Sequence, residues 1–106
     1  MFEFSIRNVD HKVIVKLEGD LDIEATEIIE NDLTNALQNC TNEIELDFFN
    51  IDFVDSSGIG ILISLINQLK EKNLKPLITN LKEDVKLVFE LLQLDEIIGK
   101  EVLILK

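Results

Sequence analysis

Basic residues are scarce in this sequence: 10 Lys and Arg stand against 21 Asp and Glu in 106 residues, a formal charge of −11. Such a surface repels nucleic-acid phosphates and anionic lipid headgroups, which makes DNA and membrane surfaces poor partners. The charge serves solubility, and it also fits a basic patch on a protein partner. Long apolar runs are missing too. None reaches the ~18 residues that span a bilayer. The start Met1-Phe2-Glu3-Phe4 lacks the basic-then-apolar order of a signal peptide, so a cytoplasmic protein is expected. One cysteine, Cys40, excludes an internal disulfide and fits a reducing compartment. One histidine, His11, sits at an expected hairpin turn with no visible catalytic partner. Ser-His-Asp and Cys-His catalysis therefore lack a visible set, and His11 and Cys40 read as a solvated turn residue and an inert thiol.

What is there suffices for a core. Apolar residues are 46% and charged residues 29%, too apolar for a disordered chain and of the right size for one domain over residues 1–106. Phe2, Phe4 and Ile6 alternate with polar residues, as do Val13, Val15 and Leu17 after an Asn8-Val9-Asp10-His11 turn, which predicts an opening β-hairpin. Ala25, Ile28, Ile29, Leu33, Ala36 and Leu37 recur at steps of three and four and predict an amphipathic helix. Ile44, Leu46 and Phe48 mark a strand, less regular at Asn50-Ile51-Asp52, that runs towards Asp55. A broadly apolar helix through Ile59, Leu62, Ile66 and Leu69 follows.

Pro76-Leu77-Ile78 predicts a short strand, and Asn80 and Glu83 have the spacing of a capping box. Val85, Leu87, Val88, Leu91 and Leu92 predict a further helix, Asp95 to Gly99 a turn or short helix, and Glu101 to Leu105 a last strand. There is no internal repeat or low-complexity segment. This order predicts an α/β fold with a mixed sheet of about five strands, its parallel neighbours joined by helices packed on one side.

Several motifs fall short of a known chemistry. Gly58-Ile59-Gly60 starts like a dinucleotide fingerprint, but Ile63 holds the third glycine position and no Gly-Lys-Ser/Thr loop exists. Asp20-Leu21-Asp22 begins like a calcium loop, yet Ala25 and Asn31 occupy its glycine and bidentate glutamate positions. It also resembles a phosphatase nucleophile motif, but Glu24 stands in place of the usual Thr or Val. No cofactor, no metal and no enzymatic activity are expected.

Two segments remain: Leu17-Glu18-Gly19-Asp20-Leu21-Asp22 and Phe53-Val54-Asp55-Ser56-Ser57-Gly58-Ile59-Gly60, each at an expected strand-to-helix junction. If the preceding strands run parallel in one sheet, both emerge at the edge where such sheets bind ligands. Together they resemble the STAS domain of anti-sigma factor antagonists, and the resemblance covers essentially the whole chain. It implies a fold like the one above and a phosphoacceptor at the first serine of Asp-Ser-Ser-Gly, here Ser56. It further implies a partner-binding face that includes Asp20, Asp22, Ile23, Asp55, Ser57, Gly58, Ile59 and Gly60. Asp20 stands where relatives more often have Glu. The implied partner is a serine-kinase anti-sigma factor that uses ATP, with a serine phosphatase to reset the cycle. Other members of the family act in stress-sensing, transporter or lipid-trafficking complexes, so a subunit of such a complex is the alternative.

A serine here makes physical sense. Ser56 or Ser57 is expected to cap the following helix. The free N–H groups of a helix start accommodate a phosphate, whereas about −1.5 to −2 added charges would disrupt a docked interface.

Overall fold

The computed structural model describes residues 2–38 and 43–102. Strands β1 (Glu3–Val9) and β2 (Lys12–Leu21) form the expected hairpin, turning at Asp10 with φ 55°. After β2 come α1 (Ile23–Glu27), a π-helical turn (Ile28–Leu33) and α2 (Thr34–Ala36). Strand β3 (Glu43–Val54), helix α3 (Ser56–Glu71), strand β4 (Lys75–Thr79) and helices α4 (Glu83–Leu91) and α5 (Leu94–Ile98) complete the order. The sheet order is β1-β2-β3-β4, antiparallel between β1 and β2 and parallel between the others, a mixed sheet as expected. Among the described residues it has four strands. Of the expected fifth strand, Glu101 to Leu105, the first two residues are described and form a turn, the Val102 carbonyl accepting from the Ile78 N–H at 2.7 Å, and residues 103–105 lie outside the described residues. Cys40 is also outside the described residues.

Alternation decides which sheet face is covered. Val13, Val15 and Leu17 of β2 and Ile44, Leu46 and Phe48 of β3 are buried under the helices. On the opposite face Glu45 accepts from Lys12 at 2.8 Å and from Thr79 at 2.9 Å. Burial alone would raise the Glu45 carboxyl, but the hydrogen bonds from Lys12 and Thr79 and the Lys12 charge outweigh it and hold it below the usual range. Near its end β3 carries extra residues relative to β2, with register shifts between Lys16 and Glu18 and between Gly19 and Asp20. The bulges explain why the irregular Asn50-Ile51-Asp52 segment still sends Ile51 and Val54 into the core.

The first helical segment is wider than predicted. Its buried residues are Ala25, Ile29, Leu33 and Leu37, a strict step of four. Each such step overshoots a turn of about 3.6 residues by about 40°, so a regular helix would carry Leu37 off the core. The π-helical turn absorbs the drift: the Thr34 N–H donates to the Ile29 carbonyl, and the Thr34 hydroxyl donates to the same oxygen at 2.8 Å. Ala36, expected on the apolar stripe, is exposed.

One other expectation fails locally, although the helix that follows it forms as expected. Asn80 does not cap α4; it adopts φ 60° and donates to Asp47 at 3.0 Å, and the helix starts after Lys82 without a side-chain cap. The buried face of α4 is Val85 and Phe89, with Phe89 edge-on to Phe48 at 5.9 Å between centroids, while Leu87, Leu91 and Leu92 are exposed.

Candidate functional site

Strands β2 and β3 end side by side. Leu21 pairs with Val54 and Asp20 with Phe53, so the junctions into α1 and α3 emerge together at one sheet edge, as parallel pairing requires. Three features hold them in place. Gly19, at φ 104°, lets β2 bend where its register shifts, a conformation costly for any residue with a Cβ. The Asp55 N–H donates to the Leu21 carbonyl at 3.2 Å. Gly58 lies so close to the same carbonyl that a Cβ would sit 1.8 Å from its oxygen.

Each junction carries an extended aspartate that caps the following helix. Asp22 accepts from the Glu24 N–H at 3.0 Å and Asp55 from the Gly58 N–H at 2.9 Å. The cap of α3 is therefore Asp55, and the expectation that Ser56 or Ser57 caps it is corrected. The two serines are the first two residues of the helix, and both hydroxyl-bearing side chains are on exposed residues. Neighbouring Asp and Ser both favour the cap, and a shift of one residue decides between them.

The residues expected on the contact face divide into two groups. Asp20, Ser56, Ser57 and Gly60 are exposed, Ile23 is 72% exposed, and Asp22 and Asp55 are half-buried. Gly58 and Ile59, in contrast, are buried, Gly58 against Leu21 and Ile59 in the core. They shape the platform from beneath and do not lie on its surface. The structure adds Phe53, half exposed beside Asp20. Its sequence signal is an aromatic residue beyond the irregular part of β3, where alternation no longer assigns a side. A shallow groove of about 200 Å³ continues from Phe53 to Asp84 and Val88 of α4.

The surroundings are strongly acidic. Between Lys16 and Lys70 the chain has no basic residue and 12 Asp and Glu, among them Asp20, Asp22 and Asp55. Among the described residues no three His, Cys, Asp or Glu side chains converge as metal ligands, and no helix is long and apolar enough to cross a membrane. His11 is exposed at the hairpin turn, away from the two junctions.

A mixed sheet whose two parallel strands end in Gly-Asp-Leu-Asp and Asp-Ser-Ser-Gly junctions defines a class. Residues 3–104 match the model of the STAS domain, and the chain belongs to that family. It is similar to the anti-sigma-B factor antagonist of Staphylococcus aureus strain NCTC 8325, with 25% identity over 83 residues that cover 78% of this chain and 77% of the relative. It is similar in structure to the anti-sigma factor antagonist SpoIIAA in its unphosphorylated form, with a TM-score of 0.75 and 24% identity over 98% of this chain and 88% of that one. The phosphorylated form of SpoIIAA, a Bacillus cell fate determinant, aligns with a TM-score of 0.69 and 24% identity over 98% and 91% of the two chains.

Proposed function

We propose that the chain is a single cytoplasmic STAS domain, residues 1–106, that acts as an anti-sigma factor antagonist and not as an enzyme. Its unphosphorylated form binds a serine-kinase anti-sigma factor and so frees the sigma factor. Phosphorylation of Ser56 switches the binding off, and a serine phosphatase resets it. The observation that carries this reading is the position of Ser56: exposed, first in α3, on an acidic platform where two junctions are joined. The existence of SpoIIAA in both unphosphorylated and phosphorylated forms supports it.

The physical argument rests on an asymmetry. In the free protein a phosphate on Ser56 stays in water beside the Ser56 and Ser57 N–H groups, which have no intrahelical acceptor. In a docked complex it loses that water and adds charge beside Asp55. A penalty of about 3 kcal/mol already weakens binding by about two orders of magnitude. Exposed Ile23 and Phe53 supply apolar anchors for a partner, and the absence of basic residues from Lys16 to Lys70 matches a basic partner surface.

The test is incubation with ATP and each serine-kinase anti-sigma factor of the source organism, read by intact mass and peptide mapping. One phosphate on Ser56 is expected. Ser56→Ala should block the modification and keep the partner bound, and Ser57→Ala should still be modified. Modification lost in Ser57→Ala but kept in Ser56→Ala would move the switch by one residue. Binding without modification would favour a STAS subunit of another complex.

A further inference from the structure

Strand β1 is the outer strand of the sheet, and among the described residues its only substantial neighbour is β2. Among the described residues nothing pairs with its free edge. Val9 and Lys12 close a two-residue loop and form the hydrogen-bonded end of the hairpin. Counting back, Arg7, Ser5 and Glu3 address β2, while Asn8, Ile6 and Phe4 present their N–H and C=O groups outward. An edge of this kind is a template for another strand unless something guards it. Charges are the usual guard, and here they are Glu3 and Arg7. Neither makes an ion pair within the chain among the described residues.

These charges are arranged so that they guard against most strands but match a copy of their own. Antiparallel self-pairing centred on Ser5 sets Glu3 opposite Arg7 of the second copy, twice, and Phe4 opposite Ile6. The outward groups of Phe4 and Ile6 are then the ones that bond, so the register satisfies the backbone as well as the charges. Moving the centre by one residue along the strand, to Phe4 or Ile6, places Glu3 opposite Ser5 or Val9 and loses both ion pairs. Phe4 and Ile6 are only partly buried against the core, and a second copy would extend their cover.

Net charge also permits association along this edge. Residues 1–17 hold Arg7, Lys12 and Lys16 against Glu3 and Asp10, a sum of +1, while residues 18–106 hold 7 basic and 19 acidic residues, a sum of −12. Two copies of an acidic chain can therefore meet along this edge without strong repulsion.

We propose that two copies of this chain associate along β1, antiparallel and centred on Ser5, into one continuous eight-stranded sheet over the described strands. The two-fold symmetry leaves both junction platforms uncovered and pointing in opposite directions.

Sedimentation equilibrium of the full chain up to millimolar concentration tests this. A monomer–dimer equilibrium is expected. Arg7→Glu and Glu3→Arg should each weaken it at least about tenfold, since each replaces two attractive cross-strand pairs by repulsive ones. An equimolar mixture of the two variants should restore association, because every facing pair is then again of opposite sign. Ser5→Cys in a Cys40→Ser background should form a disulfide-linked dimer on mild oxidation, since a non-hydrogen-bonded pair places its Cα atoms about 4.5 Å apart. A monomer at all concentrations overturns the proposal. So does a dimer indifferent to both charge changes, which would use another surface.

Discussion

Asp22 and Asp55 occupy equivalent places at two adjacent junctions, yet the helices they start are unlike. Both adopt extended backbone and cap through a side-chain oxygen. Asp55 opens a regular helix of 16 residues, seven of them buried, and its cap bond is partly buried. Asp22 opens five residues of α-helix that pass into a π-helical turn, with an exposed cap bond and an exposed Ile23. The same cap chemistry is thus anchored by packing on one side and left near solvent on the other. Packing makes α3 the more firmly held of the two walls.

Five substitutions break or sharpen this contrast. The largest effect is expected for Gly58→Ala, whose new Cβ would collide with the backbone oxygen of Leu21 and force the two junctions apart. A loss of about 3 kcal/mol or more, and a melting temperature lower by about 10 °C or more, is expected in thermal unfolding. Asp55→Ala should cost about 1–2 kcal/mol in the same measurement and Asp22→Ala about 0.5 kcal/mol, because only the former cap is tied to a long buried helix. Equal losses would erase the distinction. Gly60→Ala should stabilise the chain by about 0.5–1 kcal/mol, since nothing lies within 4 Å of the added Cβ and alanine favours a helix. Partner affinity should fall in that same variant if the exposed face of α3 is the contact. Ser57→Ala should stay within about 0.5 kcal/mol of the parent chain in urea unfolding, because it is exposed and caps nothing.

Much of this was legible from periodicity. Alternation located the hairpin and β3, and the repeated strand-then-aspartate pattern located both junctions and their common edge. The misreadings share a physical origin, which is that several residues in a row could satisfy the same local rule. Asp55, Ser56 and Ser57 are all good caps, and only the helix register chooses. Asn80 and Glu83 have capping-box spacing, but Asp47 on the neighbouring strand offers Asn80 a better partner. The helix through Val85, Leu87, Val88 and Leu91 forms as expected, and its docking on Phe48 decides which of its apolar residues are buried, Val85 and Phe89. The burial of Gly58 depends on a carbonyl 37 residues earlier, a contact no local pattern encodes.

The wide turn between α1 and α2 has a consequence for insertions and deletions. Its exposed residues include Glu30, Asn31 and Asp32. Deleting Asn31 would leave the buried side chains at four, seven and eleven positions after Ala25, the repeat of an ordinary α-helix. The segment therefore stands one residue from a regular helix and should absorb that deletion with its core contacts kept. In α3, which has no spare residue, the same deletion would swing every later side chain by about 100° and bury the wrong face.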